Sequence, residues 1–306
     1  MIDKRYRMQV DLLLQVIPHV AKEEGFALKG GTALNMFVWD MPRLSVDIDL
    51  TYLPFDDRVK AMRNITEALK RIKGRVQSKI PNCKAQLVPQ SDGQEAKMIC
   101  QIPGAQIKIE VNTTMRGHLF PTQEMDVSDA VEKAFNRFVA IRVVSKGELF
   151  GGKICAALDR QHPRDLFDIS QLYKEGVLTN DIRHGFIMAL LSSPRPIHEL
   201  IHPNLLDHRQ TFETQFSGMT DQPFSYDDFE VTRKHLIDDI KSGFSDDDRD
   251  FLLSFKDANP GWNLFPYPKL KDLPAVQWKL RNIETLKFRN PKKHTLQLNN
   301  LKDRLL

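Results

Sequence analysis

The sequence predicts an α/β (α+β) protein in which a small mixed sheet flanked by helices is followed by a mostly helical C-terminal domain. Three observations carry this expectation. "GFALKGGTALNMFVW" (25–39) reads as strand, glycine turn, helix. "RLSVDIDLTYL" (43–53) alternates apolar and polar residues strictly, as a half-buried strand does. Beyond residue 145, helical spacing replaces strand alternation almost throughout.

In chain order, Val10, Leu13, Leu14, Ile17, Val20 and Ala21 fall at spacings of three and four and predict a helix over 6–24. "GFAL" is a short strand, and Thr32 is the expected N-cap of the helix in "ALNMFVW". In the alternating strand, Val46, Ile48 and Leu50 face the core while Ser45, Asp47, Asp49 and Thr51 face away. A helix over 57–80 follows through Val59, Met62, Ile65, Leu69, Ile72, Val76 and Ile80, with a basic outer face. "AQLVP", "KMICQI" and "AQIKIEV" are three strands separated by Gly93 and by Pro103–Gly104. After "FVAIRVV", another strand, Ser145 and Glu148 form a capping-box signature. That helix should reach Arg160, break at His162–Pro163 and restart through "RDLFDISQLYKEG" to Gly176. A boundary falls in the region 115–145, giving a core domain over 1–125 and a mostly helical domain over 126–306.

Composition narrows the function classes. With 41% hydrophobic and 27% charged residues, the chain has the makings of an ordinary soluble protein with a substantial core. Cys83, Cys100 and Cys155 form no CxxC pair and leave an odd thiol, which argues against a disulfide scaffold and for a reducing cytoplasm. No run approaches the roughly 20 apolar residues of a membrane span, and the N-terminus lacks a signal-peptide cleavage site. No membrane partner is expected. From Lys269 onward ten basic residues (Lys269, Lys271, Lys279, Arg281, Lys287, Arg289, Lys292, Lys293, Lys302, Arg304) face only three acids, Asp272, Glu284 and Asp303, which would suit a polyanion. Trp262 and Trp278 are expected in the core.

Chemistry concentrates at the front of the chain. Asp47 and Asp49, two apart on a strand, point the same way and would repel. A divalent cation removes that conflict, and Mg²⁺ prefers one or two carboxylates together with phosphate oxygens. Upstream, the backbone N–H groups of Gly30, Gly31 and Thr32 can surround an anion, and Lys29 adds a point charge for a phosphate. Turn and acid pair together suit the two ends of a nucleoside triphosphate. Two-metal phosphoryl chemistry wants a third acid, and Glu110, beside Lys108 on the polar side of "AQIKIEV", supplies it if that strand neighbours Asp47 and Asp49. Lys153 and Arg160 lie two helical turns apart on one face, Asp165 and Asp168 share another, and Arg164 is spaced to pair with Asp168.

The ordered set KGGTAL, R-x-S-x-D-I-D-L, K-x-E, K-x-x-A-x-x-x-R and R-D-x-x-D resembles the AbiEii/AbiGii-type nucleotidyltransferase toxins, a branch of the DNA polymerase beta-like superfamily. "FETQFSGMT" and "QWKLRNIETL" are similar in kind to that family's helical C-terminal part. The resemblance implies a nucleotidyltransferase sheet and a helical domain closing one side of the active-site cleft. It implies that Asp47, Asp49 and Glu110 bind Mg²⁺, although such enzymes often carry Asp at the Glu110 position. Gly30, Gly31 and Thr32 would hold the triphosphate with Lys29, and Lys153 would contact the nucleotide or the developing charge. Arg43, Ser45, Lys108, Arg160, Asp165 and Asp168 would complete the nucleotide site. Expected partners are a nucleoside triphosphate, an RNA acceptor (the 3′ end of tRNA) and a cognate antitoxin, protein or RNA, in a toxin–antitoxin or phage-defence setting.

Two readings of other classes compete. "HELIHPNLLDH" (198–208) matches H-E-x-x-H, so His198, His202 and His208 could bind zinc with Glu199 activating water. Leu205 stands where such peptidases need glycine, and Pro203 should break the helix just after His202. The other is a non-catalytic nucleotide-binding module with the acids as scaffold.

Overall fold

The computed structural model describes residues 4–89, 95–176 and 178–305, which divide into two compact units. The first comprises residues 1–145 together with 216–223, the second 146–215 together with 224–306.

In the first unit, α1 (Lys4–Val20) leads to β1 (Phe26–Lys29), a four-residue α2 (Gly30–Ala33) that passes into a π-helical turn (Leu34–Val38), and β2 (Asp47–Tyr52). Then come α3 (Arg58–Lys79), β3 (Lys84–Pro89), β4 (Glu95–Ile102), β5 (Ala105–Asn112), β6 (Gln123–Asp126), α4 (Asp129–Phe135) and β7 (Ala140–Val143). Gly93, expected between two of these strands, lies outside the described residues. The seven strands form one mixed sheet in the order β3-β4-β5-β2-β1-β7-β6. β7 pairs in parallel with β1, so the first unit reaches past residue 125 to Ser145.

Alternation decides the layers. Ile48, Leu50, Met98, Cys100, Ile107, Ile109 and Val111 are all buried. α1 and α3 pack on each other and against β3, β4, β5 and β7. Their buried stripes include Leu13, Leu14, Ile17, Ile65, Leu69 and Ile72. Glu23, three residues past the end of α1, is clamped by Arg71 (2.6 Å) and Arg75 (2.5 Å) of α3. Three expectations fail here. Val59 is 81% exposed because it falls on the outer side of the first turn of α3, and Ser45 and Thr51 are buried although they alternate with the acids, Ser45 lying in the loop before β2.

The second unit is helical: α5 (Lys146–Arg160), α6 (Pro163–Glu175), α7 (Asn180–Ser192), α8 (Ile197–Ile201), α9 (Arg209–Gln215), α10 (Tyr226–Gly243), α11 (Asp246–Lys256), α12 (Pro274–Arg289) and α13 (Pro291–Leu305). α5 stops at Arg160 and α6 restarts with Pro163 in its first turn, as the spacing predicts. α5 and α7 meet backbone to backbone: a Cβ on Gly151 would lie 2.2 Å from the Gly185 carbonyl carbon, and one on Gly185 would lie 2.1 Å from the Gly147 oxygen. This close approach sets the position of Lys153 on α5. Trp278 is 48% exposed rather than in the core, because it lies on the outer side of α12. No helix of the described residues is long and apolar enough to cross a membrane.

Candidate active site

β1, β2 and β5 build the first cluster. The antiparallel pairing of β1 with β2 sets Lys29 opposite Asp49, and the parallel pairing of β2 with β5 sets Asp47 opposite Lys108 and Asp49 opposite Glu110. Neighbours in register share a sheet face, so Asp47, Asp49, Lys108 and Glu110 share one. All four are partly exposed.

The glycines fit this cluster closely. Gly30 has φ +74, a conformation open to glycine, and a Cβ there would lie 2.6 Å from Asp49 Oδ2. A Cβ on Gly31 would lie 2.9 Å from Arg43 Nη2 and 3.0 Å from Ser45 Oγ. The chain thus puts a carboxylate against one glycine and a guanidinium against the next. Lys29, Gly30 and Gly31 remain partly exposed.

Thr32 is not an N-cap. The helix starts two residues earlier, at Gly30, and the Thr32 side chain is fully buried. Its Oγ1 donates to the Asp47 carbonyl at 2.5 Å and lies 3.0 Å from Ser45 Oγ, tying the glycine turn to the start of β2. Asn35 Nδ2 donates to the Gly31 carbonyl at 3.0 Å, and buried Arg43 Nη1 to the Leu44 carbonyl at 2.9 Å. The loop carrying Arg43 and Ser45 is held from far along the chain: Leu44 N donates to the Met219 carbonyl (2.8 Å) and Thr220 Oγ1 to the Pro42 carbonyl (2.7 Å). Reading the motifs singly misses this pinning role of residues 216–223, whose trace in the sequence was "FSGMT".

Lys108 reports the field of the acids. Burial works against its charge, yet Asp47, Glu110 and Asp49 together push the ammonium above the usual lysine range. Its Nζ lies 3.2 Å from Glu110 Oε2. Among the described residues no three His, Cys, Asp or Glu side chains are gathered tightly enough to coordinate one ion. Strand register sets the three carboxylates on neighbouring strands, but they do not converge on one point, and Glu110 turns to Lys108.

A second cluster is internal to the helical unit. Lys153 Nζ lies 3.0 Å from Asp165 Oδ1 and 2.8 Å from Asp168 Oδ2, and all three side chains are more than nine-tenths buried. Arg160 Nη2 reaches the other oxygen of Asp165 at 2.8 Å. The two-turn spacing of Lys153 and Arg160 thus brings both to one carboxylate. Asp168, which the spacing pairs with Arg164, is engaged by Lys153.

The zinc candidates are not assembled. α8 ends at Ile201, before His202 and just ahead of Pro203, and His202 adopts an extended φ of −141. Glu199 lies 3.5 Å from Arg195, and the His208 ring packs edge-on to Phe229. Cys83, Cys100 and Cys155 are free and buried, and burial pushes the Cys100 and Cys155 thiols up to about 12, which leaves neither a ready nucleophile.

The sequence profile described as "Nucleotidyl transferase AbiEii toxin, Type IV TA system" matches residues 11–282. The chain belongs to the AbiEii nucleotidyltransferase toxin family. It is accordingly a nucleotidyltransferase, with a nucleotide substrate and a cognate antitoxin. AbiEii membership accords with the mixed sheet and following helical region, and a solved structure shares the fold: MenT4, a nucleotidyltransferase toxin from Mycobacterium tuberculosis H37Rv. That likeness has a TM-score of 0.63 at 13% identity and covers 91% of this chain and 93% of MenT4. No curated protein sequence matches significantly.

Proposed function

We propose that this AbiEii-family enzyme transfers a nucleoside monophosphate from a triphosphate to the 3′ end of an RNA, tRNA being the favoured acceptor, with Mg²⁺ held by Asp47, Asp49 and Glu110. The observation that carries the reading is the register that sets Glu110 beside Asp49 while Gly30 abuts the Asp49 carboxylate. When bound, the ion would lower the pKa of the attacking hydroxyl and neutralise charge on the leaving pyrophosphate.

The protein's own groups supply the rest. Backbone N–H groups at the start of a helical run lack intrahelical acceptors, so those of Gly30 to Thr32 are assigned to the triphosphate, with Lys29 beside them. Thr32 acts through the Asp47 carbonyl, holding the strand that carries the acids. Arg43 and Ser45, lying against Gly31, orient the turn. Lys108 balances the acids and is assigned to the triphosphate once Glu110 turns to metal. To Lys153, Arg160, Asp165 and Asp168 we assign the nucleotide contacts that family resemblance implies.

The RNA acceptor is supported by α12 and α13, where Arg281, Arg289, Lys292, Lys293, Lys302 and Arg304 are exposed with Trp278 and Phe288. Lys279 is not part of that surface. It is buried and donates to the carbonyls of Leu190 and Arg195, and burial lowers its pKa to about 7. We place the protein in the cytoplasm, acting as a toxin in antitoxin-controlled growth arrest or phage defence.

The test is incubation of the protein with total RNA and each labelled triphosphate, with and without Mg²⁺. Label should enter RNA of tRNA size only with Mg²⁺, and Asp47→Ala or Asp49→Ala should abolish it without unfolding the protein. Full incorporation by either variant would remove these acids from the mechanism.

A further inference from the structure

Arg116 is out of keeping with its surroundings. It follows β5 on a loop ordered by three contacts. Asn112 Oδ1 accepts from Thr114 N and Met115 N at 3.0 and 2.8 Å, and Gly117, at φ +83, donates its N–H to the Tyr52 carbonyl at 2.8 Å. This preorganised loop carries an arginine that is 94% buried, yet among the described residues the one hydrogen bond of its guanidinium is a 3.4 Å contact from Nη1 to the Asp57 carbonyl, and Nε has no partner. A buried arginine with five donors is normally saturated by carboxylates or carbonyls.

The neighbouring acids are committed elsewhere. Asp56 accepts from Tyr52 Oη at 2.6 Å and from Asn64 at 3.1 Å, and pairs with Lys60 at 2.7 Å. Asp57 caps α3 by accepting from Lys60 N at 3.0 Å. Neither forms an ion pair with Arg116. Another cation, Arg58 in the first turn of α3, follows Asp57 directly in the chain; burial and then the field of Arg58 lower the Arg116 pKa, against the opposing pull of Tyr52, Asp57 and Asp56. Arg58 also lines a surface depression of about 330 Å³ along α3, with Val59, Met62, Arg63, Thr66 and Glu67.

We propose that Arg116, with Arg58 at the first turn of α3, forms a phosphate-binding site separate from the catalytic cluster. A tetrahedral oxyanion would meet the Nη edge of the Arg116 fork and a second cation, while the open surface beside Arg58 leaves room for whatever carries the phosphate. Tyr52, which anchors this loop, lies three residues beyond Asp49 on β2, roughly 10 Å at strand rise. The anchor of this loop is thus set apart along β2 from Asp49, the residue that Gly30 abuts. The phosphate could belong to an RNA backbone or to a small free phosphate.

The test uses the intact protein without Mg²⁺, in chloride buffer at constant ionic strength. Inorganic phosphate binding is measured by calorimetry, and binding of a 3′-blocked oligoribonucleotide, which cannot be extended, by fluorescence anisotropy. The glycine turn is common to all variants, so differences report on Arg116. Arg116→Gln should weaken phosphate binding about ten-fold or more, the usual worth of charge-assisted hydrogen bonds, with Arg116→Lys intermediate and Arg58→Gln weaker than wild type. Parallel losses for the oligoribonucleotide identify a backbone phosphate, and losses confined to inorganic phosphate identify a small ligand. If Arg116→Gln fails to fold, Arg58→Gln decides, since Arg58 is exposed. Wild-type binding of both probes by folded Arg116→Gln, or by Arg58→Gln alone where only that variant folds, overturns the proposal.

Discussion

Replacing Gly30 with alanine tests the link between the glycine turn and the acids. Alanine at φ +74 costs on the order of 1–2 kcal/mol of backbone strain. Its Cβ would meet Asp49 Oδ2 at 2.6 Å where ordinary contact begins near 3.4 Å, so the carboxylate must retreat by about 0.8 Å. A partly exposed side chain can make that move without collapse of the core. The strain alone should lower Tm by only a few degrees in a unit of this size. If Asp49 holds metal as proposed, a displacement approaching 1 Å should, by contrast, cost on the order of 10²-fold in kcat/KM. The assays are incorporation of labelled nucleotide into RNA and thermal unfolding of the same preparation. A folded Gly30→Ala enzyme with wild-type kcat/KM would show that Asp49 needs no exact placement beside this turn. A rate loss only in step with a large fall in Tm would reassign Gly30 to folding.

The helical unit offers two stability tests. Lys153→Met leaves Asp165 and Asp168 buried without their shared cation and should cost about 3–5 kcal/mol near neutral pH. Because stranded carboxylates take up a proton more readily folded than unfolded, the variant should regain stability as pH falls, and chemical denaturation at pH 5 and 8 would reveal a failure to do so. Gly151→Ala should separate α5 from α7 and cost about 3 kcal/mol or more, read as an earlier unfolding midpoint; an unchanged midpoint would mean that the two backbones do not touch. In the first unit, burial would raise the Glu23 pKa, but hydrogen bonds from Arg71 and Arg75 outweigh it and hold the carboxyl below the ordinary 4.5. Its stabilisation is thus present above pH 4.5 and lost as pH falls through the folded value. Glu23→Gln should be less stable at pH 7 and converge with wild type in acid, and a gap independent of pH would refute this ion-pair account. Arg71 is more than half exposed, so high salt should narrow the gap.

Much of the fold was legible because burial on one side imposes a period. The two-residue alternation of "RLSVDIDLTYL" and "AQIKIEV" located β2 and β5 and assigned Asp47, Asp49, Lys108 and Glu110 to polar faces. Proline chemistry located the break between α5 and α6 and the end of α8. Local signals misled where a tertiary contact outweighed them. Thr32 has the side chain of an N-cap, but its hydroxyl binds the Asp47 carbonyl, and the chain turns helical as soon as Gly30 permits a positive φ. Trp278 and Val59 look like core residues by type, yet each lies on the side of its helix that faces water.

What the sequence by itself determined is therefore chemical inventory and local direction: which strand faces carry acids, where a glycine turn precedes them, and which family the chain belongs to. Only the tertiary structure decided which strands are neighbours. Glu110 is more than sixty residues from Asp47 in the chain, and nothing local specifies that β5 pairs with β2 in parallel, with Asp49 opposite Glu110. That choice depends on whether all the apolar faces can be buried at once beneath α1 and α3. The same holds for the loop of Arg43 and Ser45, pinned by Met219 and Thr220, and for Arg116, whose sparse hydrogen bonding among the described residues is a property of its surroundings and not of its residue type.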